Sequence, residues 1–132
     1  FVQDNISRSS KNVLRGMHFQ RNNPQGKIVK ASRGEILDVI VDLRKGSPTH
    51  GAWESFKLSE QNKLQVWIPP GFAHGFLVLS DSADFEYKCT EYYHPEDEHC
   101  LMWNDPEVAI DWPINDPILS EKDKQGLFLK DL

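Results

Sequence analysis

The 132-residue sequence predicts one all-β domain of the sandwich or barrel type. Short runs rich in β-branched and aromatic residues recur along the chain, and turn residues separate them. No stretch has sustained helical periodicity before the weakly periodic tail "SEKDKQGLFL" at 120–129. The length suits a single domain with a core of its own. We therefore expect one β domain over 1–132, with a short irregular or helical C-terminal segment lying over it.

The strands follow one another with turn signals such as "SRGE", "RKGSPTHG" and "PPG" between them. "FVQDN" at the start already looks like part of a strand. The runs after it are "VLRGMHFQ" (13–20), "KIVKA" (27–31), "ILDVIVDL" (36–43), "AWESFKL" (52–58), "LQVWI" (64–68), "HGFLVLS" (74–80) and "DFEYKCTEYY" (84–93). "ILDVIVDL" is too apolar for an exposed strand, so it is predicted to be interior. In the tail, Ser120 followed three residues later by Asp123 predicts a cap for a short helix.

The charge balance restricts the partners. Lys plus Arg number 15 and Asp plus Glu number 20, so the net charge is −5. This balance argues against nucleic acid or an anionic membrane as the main partner. No apolar run approaches the ~18 residues of a membrane span, and no signal peptide is visible. Cys89 and Cys100 are expected to be free thiols in a reducing cytoplasm.

The stretch "VLRGMHFQ" is unusual because it places polar residues inside a strand-like run. On strict alternation, Arg15, Met17 and Phe19 share one face, and Leu14, Gly16, His18 and Gln20 share the other. His18 is thus predicted to point inward with Leu14. Histidine suits proton transfer near neutral pH, since its unperturbed pKa is about 6.5.

A second histidine, His74, follows the rigid turn "PPGFA" and opens a strand. Two histidines at strand ends of a small barrel are typical of a site built in a cavity. His50, His94 and His99 lie among turn or charged residues and are interpreted as structural or surface residues.

Small metal-binding barrels of the cupin type use an H-x-H pair to bind the metal. Residue 20 here is Gln, so the pair is absent and we predict no metal site.

The chain as a whole resembles the dTDP-4-dehydrorhamnose 3,5-epimerase family. The resemblance rests on "VLRGMHFQ", "QGKIVKASRGEILDVIVDLRKGSPTHGAW", "IPPGFAHGFLVLSD", "FEYKCTEYY" and "DPEVAIDWP…LSEKD", in that order and spacing. It implies a cupin-like antiparallel jelly roll, a homodimer, a dTDP-sugar substrate, and neither metal nor organic cofactor. The implied reaction epimerises dTDP-4-dehydro-6-deoxy-D-glucose at C3 and C5 through an enolate, in dTDP-L-rhamnose biosynthesis.

The resemblance also implies roles for individual residues. His18 would be the base, and Asp123 would hold its other ring nitrogen. Lys27 would stabilise the enolate oxygen, and Tyr87 would return a proton from the opposite face, since a free tyrosine pKa of about 10 keeps it protonated. The residues implied in substrate binding are Arg15 at the diphosphate, Gln3 and Asn5 in the groove, His74 in the pocket, and Tyr93 near the base.

Members of this family begin earlier than this sequence does, with a "D-x-R-G-x-F" type segment. The sequence is therefore expected to lack the family's N-terminal segment. Two alternatives stay open at this point. One is a related sugar-nucleotide cupin, either a 3- or 5-epimerase or a 3,4-ketoisomerase. The other is a non-catalytic sugar-binding cupin fragment.

Overall fold

The computed structural model describes residues 1–132 and contains two antiparallel β-sheets packed face to face. The strands are β1 (Gln3–Ser10), β2 (Leu14–Gln20), β3 (Lys27–Arg33), β4 (Glu35–Asp42), β5 (Trp53–Ser59), β6 (Val66–Ile68), β7 (Phe72–Val78), β8 (Ser82–Cys89) and β9 (Glu98–Cys100). One sheet has the order β1-β8-β3-β6, and the other has the order β5-β4-β7-β2-β9. This is the predicted jelly-roll arrangement, and the all-β fold class is confirmed.

The interior position of β4 in the five-stranded sheet explains why its sequence is almost continuously apolar. Ile36 packs into the core between the two sheets. Val39 and Val41 point the other way, into a second core that the C-terminal segment closes with Leu101, Trp112 and Leu129. Because both faces of β4 are covered, residues of both parities are buried, as predicted for an interior strand.

The C-terminal segment lies over the outer face of the five-stranded sheet, but it does not form the predicted helix over 120–129. It contains only single 3₁₀ turns, at Asp123–Gln125 and Leu129–Asp131. Ser120 still acts as a local cap, because its hydroxyl accepts the Asp123 backbone N–H at 3.1 Å. The sequence "DKQG" has too few apolar positions to bury one side of a longer helix.

Some strand boundaries also differ from the prediction. β8 ends at Cys89, and residues 90–93 leave the sheet as an irregular segment. β9 was not predicted, since its three residues are too few to show alternation. Cys89 and Cys100 are free thiols, as expected. None of the helical turns has the length and hydropathy of a membrane-spanning helix.

Strict alternation along β2 was wrong, because the pairing of β2 with β7 shifts register between Arg15 and His18. Leu14 and Met17 both enter the outer core, while Arg15 and His18 both line the space between the sheets. An irregularity of this kind changes which side chains share a face. His18 therefore points away from Leu14, and it lies directly opposite His74 on β7.

Gly16 makes this irregularity possible. Its φ is +124°, and a Cβ there would lie 2.7 Å from both Gly75 Cα and the His74 carbonyl oxygen. We expect Gly16→Ala to lower the free energy of unfolding by about 2–5 kcal/mol, from the positive φ and the overpacking together. Gly46→Ala is the matched control, since Gly46 has φ +82° with no atom near its Cβ position, and it should cost only about 1–2 kcal/mol. Urea denaturation of both variants measures this, and equal losses would contradict the steric explanation.

Candidate active site

A cavity of about 420 Å³ opens between the two sheets. Both sheets contribute to its lining, and the apolar core between them closes its inner end through Phe76 and Phe85. The polar residues around it are Gln3, Asn5, Ser7, Arg15, His18, Gln25, Lys27, His74, Tyr87, Tyr93 and Glu98. Of the residues predicted for the site, only Asp123 is absent from this lining, and it lies behind His18.

His18 and Asp123 form a close pair. His18 Nε2 is 2.6 Å from Asp123 Oδ1, and the other carboxylate oxygen accepts the Gly16 backbone N–H at 3.1 Å. Burial alone would raise the pKa of Asp123, but the hydrogen bond and charge of His18, together with hydrogen bonds to Gly16 and Ser120, hold that pKa below its usual value. An ionised carboxylate accepts a proton from Nε2, so in the neutral imidazole the lone pair is on Nδ1.

A second histidine–aspartate pair lies beside the first and was not predicted. His74 Nε2 is 2.6 Å from Oδ1 of Asp38, which is fully buried on β4. Burial lowers the pKa of His74, and Asp38 only partly opposes this effect. The one signal available in the sequence was an aspartate in the middle of "ILDVIVDL", because a buried carboxylate needs a partner.

Lys27 and Tyr87 come from the opposite sheet, on β3 and β8. The Lys27 ammonium lies 5.5 Å from the centre of the Tyr87 ring. Burial lowers the pKa of Lys27, although Cys89, Glu98 and Asp38 favour its charged form. Burial also raises the pKa of Tyr87 to about 12, so its hydroxyl stays protonated. The cavity thus has a proton acceptor on one wall and a proton donor with a nearby amine on the other.

The outer part of the cavity is rich in groups that suit a polar, anionic ligand. Arg15 is oriented by Ser9, whose hydroxyl accepts its Nε–H at 3.1 Å. Gln3 donates to Asn5 Oδ1 at 3.2 Å, while the buried Nδ2 of Asn5 has no partner in the protein. Glu98, which was not predicted, also lines this part and forms an ion pair with the exposed Lys122.

The fold assembles one group of possible metal ligands that sequence spacing did not suggest. The donor atoms of His18, Cys100 and Asp123 lie within 4.8 Å of one another. Two of these donors already share a hydrogen bond, and burial raises the pKa of Cys100 to about 12, so it is a thiol rather than a thiolate. This group does not fit a resident metal well, and a metal-free site stays a prediction.

The two packed sheets define a cupin-like jelly roll, and in its cavity two histidines, each paired with an aspartate, face a tyrosine and a lysine on the other wall, an arrangement suited to acid–base chemistry. Comparison with known proteins agrees with this class. The family model for dTDP-4-dehydrorhamnose 3,5-epimerase matches residues 1–131, and the chain belongs to that family.

Individual relatives are similar over nearly the whole chain. The dTDP-4-dehydrorhamnose 3,5-epimerase of Pseudomonas aeruginosa is 61% identical over 96% of this chain, which spans 70% of that protein. A crystal structure of an epimerase from Legionella pneumophila, in complex with dTDP-4-keto-L-rhamnose, has 56% identity and a TM-score of 0.96 over 98% of this chain and 70% of its own. A 3'-monoepimerase from Streptomyces bikiniensis, in complex with dTDP-quinovose, has 36% identity and a TM-score of 0.92 over 97% of this chain and 66% of its own.

Proposed function

We propose that this chain epimerises dTDP-4-dehydro-6-deoxy-D-glucose at C3 and C5, giving dTDP-4-dehydro-L-rhamnose for dTDP-L-rhamnose biosynthesis. The observation that carries the proposal is the placement of His18 and Tyr87. His18 lies on β2 of the five-stranded sheet, and Tyr87 lies on β8 of the four-stranded sheet, with the cavity between them. A sugar ring bound there would have a base on one face and an acid on the other, as inversion requires.

The proposed chemistry uses the ketone at C4. The protons on C3 and C5 are acidic because they are α to this ketone. His18 Nδ1 takes one proton, and the electron pair of the broken C–H bond moves to O4 as an enolate. The Lys27 ammonium stabilises the charge on O4. Tyr87 then donates its proton to the carbon from the opposite face, which inverts that centre, and solvent restores the protonation states of both side chains.

The outer groups are proposed to bind the nucleotide end of the substrate. Arg15 suits the diphosphate, because a guanidinium can donate two parallel hydrogen bonds to phosphate oxygens. The unpartnered Nδ2 of Asn5 offers a donor to the sugar or phosphate. Tyr93, which is 44% exposed at the rim, offers an aromatic surface to the base.

Incubation with dTDP-4-dehydro-6-deoxy-D-glucose in heavy water tests the proposal. We expect deuterium at both C3 and C5, together with the configuration of the L-sugar. Deuterium at neither carbon would contradict the proposed function and would favour a non-catalytic sugar-binding cupin.

A related single-centre epimerase is the second candidate, and the similarity to the 3'-monoepimerase supports keeping it. The same experiment separates the two, because deuterium and inversion at only one carbon would identify a 3- or 5-epimerase. A 3,4-ketoisomerase would instead move the carbonyl group to C3. Tyr87, on the wall opposite His18, favours epimerisation, since a ketoisomerase returns its proton to a different atom.

We further propose that the enzyme works as a cytoplasmic homodimer without a cofactor. The edge strands of the four-stranded sheet, β1 and β6, support the dimer. They expose Ile6 by 66% and Trp67 by 50%, and apolar side chains at open sheet edges are typical of contacts between subunits.

The variant Asp123→Asn should retain part of the activity. The amide keeps nearly the same shape but loses the charge that stabilises the imidazolium, and it can hold His18 in the wrong tautomer. We expect kcat to fall by about 10²-fold or more, less than on removal of the base itself. Steady-state kinetics measure this, with Asp81→Asn on the exposed turn before β8 as the control. Parental kcat in Asp123→Asn would remove Asp123 from the mechanism.

A further inference from the structure

The irregular segment Thr90–His94 carries Tyr93 into the cavity. Most of its residues lack the backbone hydrogen bonds that hold a strand in a sheet. It follows β8 and precedes the 3₁₀ turn at Pro95–Asp97. Its central peptide groups are bonded to side chains instead. Because side-chain hydrogen bonds replace the sheet here, the position of Tyr93 depends on those side chains.

Gln20, the buried last residue of β2, contacts both peptide groups that flank Tyr93. Its Nε2 donates to the Tyr92 carbonyl oxygen at 3.2 Å, and its Oε1 accepts the His94 backbone N–H at 2.8 Å. The second proton of Nε2 goes to the Asn23 carbonyl oxygen at 2.8 Å. Every hydrogen-bonding group of this amide except one lone pair is therefore used, and Gln20 as a whole is only 5% exposed.

Other glutamines complete the arrangement from the cavity side. The Tyr93 backbone N–H donates to Gln3 Oε1 at 2.9 Å. Gln25 Nε2 donates to the Glu91 carbonyl oxygen at 2.9 Å. Gln3 and Gln25 line the cavity themselves, whereas Gln20 does not. Gln20 is thus placed to influence a bound ligand through the residues that it holds.

We propose that Gln20 is a positioning residue that fixes Tyr93 at the rim for binding of the nucleotide end of the substrate. This inference rests on the proposed function, in which Tyr93 contacts the base. It explains the use of an amide at position 20: a glutamine both donates and accepts there, and neither a carboxylate nor an aliphatic side chain could do both. His18 and Tyr87 are less exposed than Tyr93, and the Gln20 side chain bonds to neither, so the effect of Gln20 should fall on binding and not on the chemical step.

Gln20→Glu is the test, because a carboxylate has nearly the same shape but cannot donate to the Tyr92 and Asn23 carbonyl oxygens. We expect KM for the dTDP-sugar, and Kd for dTDP by calorimetry, to rise about tenfold, with kcat within about threefold of the parent. In a Tyr93→Ala background, the same change should alter KM less than about twofold, because the two residues act as one unit. Gln61→Glu, on an exposed turn, is the control for the added charge.

Several outcomes would overturn the inference. They are a parental KM in Gln20→Glu, an effect confined to kcat, or increases in KM that multiply in the double variant. If Gln20→Glu does not fold, Gln20→Asn keeps the amide on a shorter side chain and should raise KM in the same way. Failure of both to fold would assign Gln20 to stability alone. A parent that shows no deuterium exchange contradicts the proposed function, whereas an active parent with an unaffected Gln20→Glu variant contradicts only this inference.

Discussion

The variant His18→Asn is expected to lose solvent exchange at both C3 and C5. In the proposed mechanism one base removes the protons at both C3 and C5, so its loss stops both epimerisations at their first step. General bases contribute about 10²–10⁴-fold in rate, and we expect a loss at the upper end of this range because the cavity offers no substitute in the same place. His74 lies beside His18 on the neighbouring strand β7, but it is buried, and burial lowers its pKa and makes it the weaker base.

The readout is deuterium at C3 and C5 of the recovered sugar, measured by NMR. His50→Asn serves as the control, since His50 is exposed and lies outside the cavity, and it should retain parental exchange. Calorimetry with dTDP shows whether His18→Asn still binds nucleotide, as it should if Arg15 and Tyr93 carry that contact. Wash-in of deuterium at the parental rate would place the base elsewhere.

Much of the fold follows from local pattern. β3, β4 and β5 were predicted to within a few residues, because their alternation or continuous apolarity reports their surroundings directly. The irregular C-terminal segment was predicted as a cover, and it does close the outer core. The helix predicted within it does not form. The segment makes only short polar turns, and each is stabilised by single contacts such as that of Ser120 with Asp123.

The site was harder to predict from residues alone. Alternation placed His18 with Leu14, whereas the register shift between Arg15 and His18, where Gly16 lies close to Gly75, reverses that arrangement. Such an approach joins strands far apart in sequence, so no local rule contains it. The resemblance to the family supplied the set of residues that the cavity brings together, but it did not supply Asp38. The hydrogen bond between this carboxylate and His74 depends on the pairing of β4 with β7, which are far apart in sequence.

The variant Tyr87→Phe should separate exchange from inversion. His18 remains, so the enolate still forms and deuterium still enters from solvent through the imidazolium. With the Tyr87 hydroxyl removed from the opposite wall and the Lys27 ammonium engaged at O4, the enolate is reprotonated from the His18 face, which restores the original configuration. We expect inversion at C5 to fall by about 10²-fold or more, while exchange stays within about tenfold of the parent.

The difference between exchange and inversion in this variant depends on the environment of Tyr87. Burial raises its pKa to about 12, so at neutral pH it is a donor and not a second base. A general loss of binding or of structure would reduce exchange and inversion together, whereas loss of the acid reduces inversion far more. Tyr92→Phe is the matched control, since the Tyr92 side chain is 57% exposed and does not line the cavity, and it should leave both measurements unchanged. If Tyr87→Phe inverts C5 as fast as the parent does, the proton comes from another group, and the two-wall arrangement of His18 and Tyr87 does not explain the reaction.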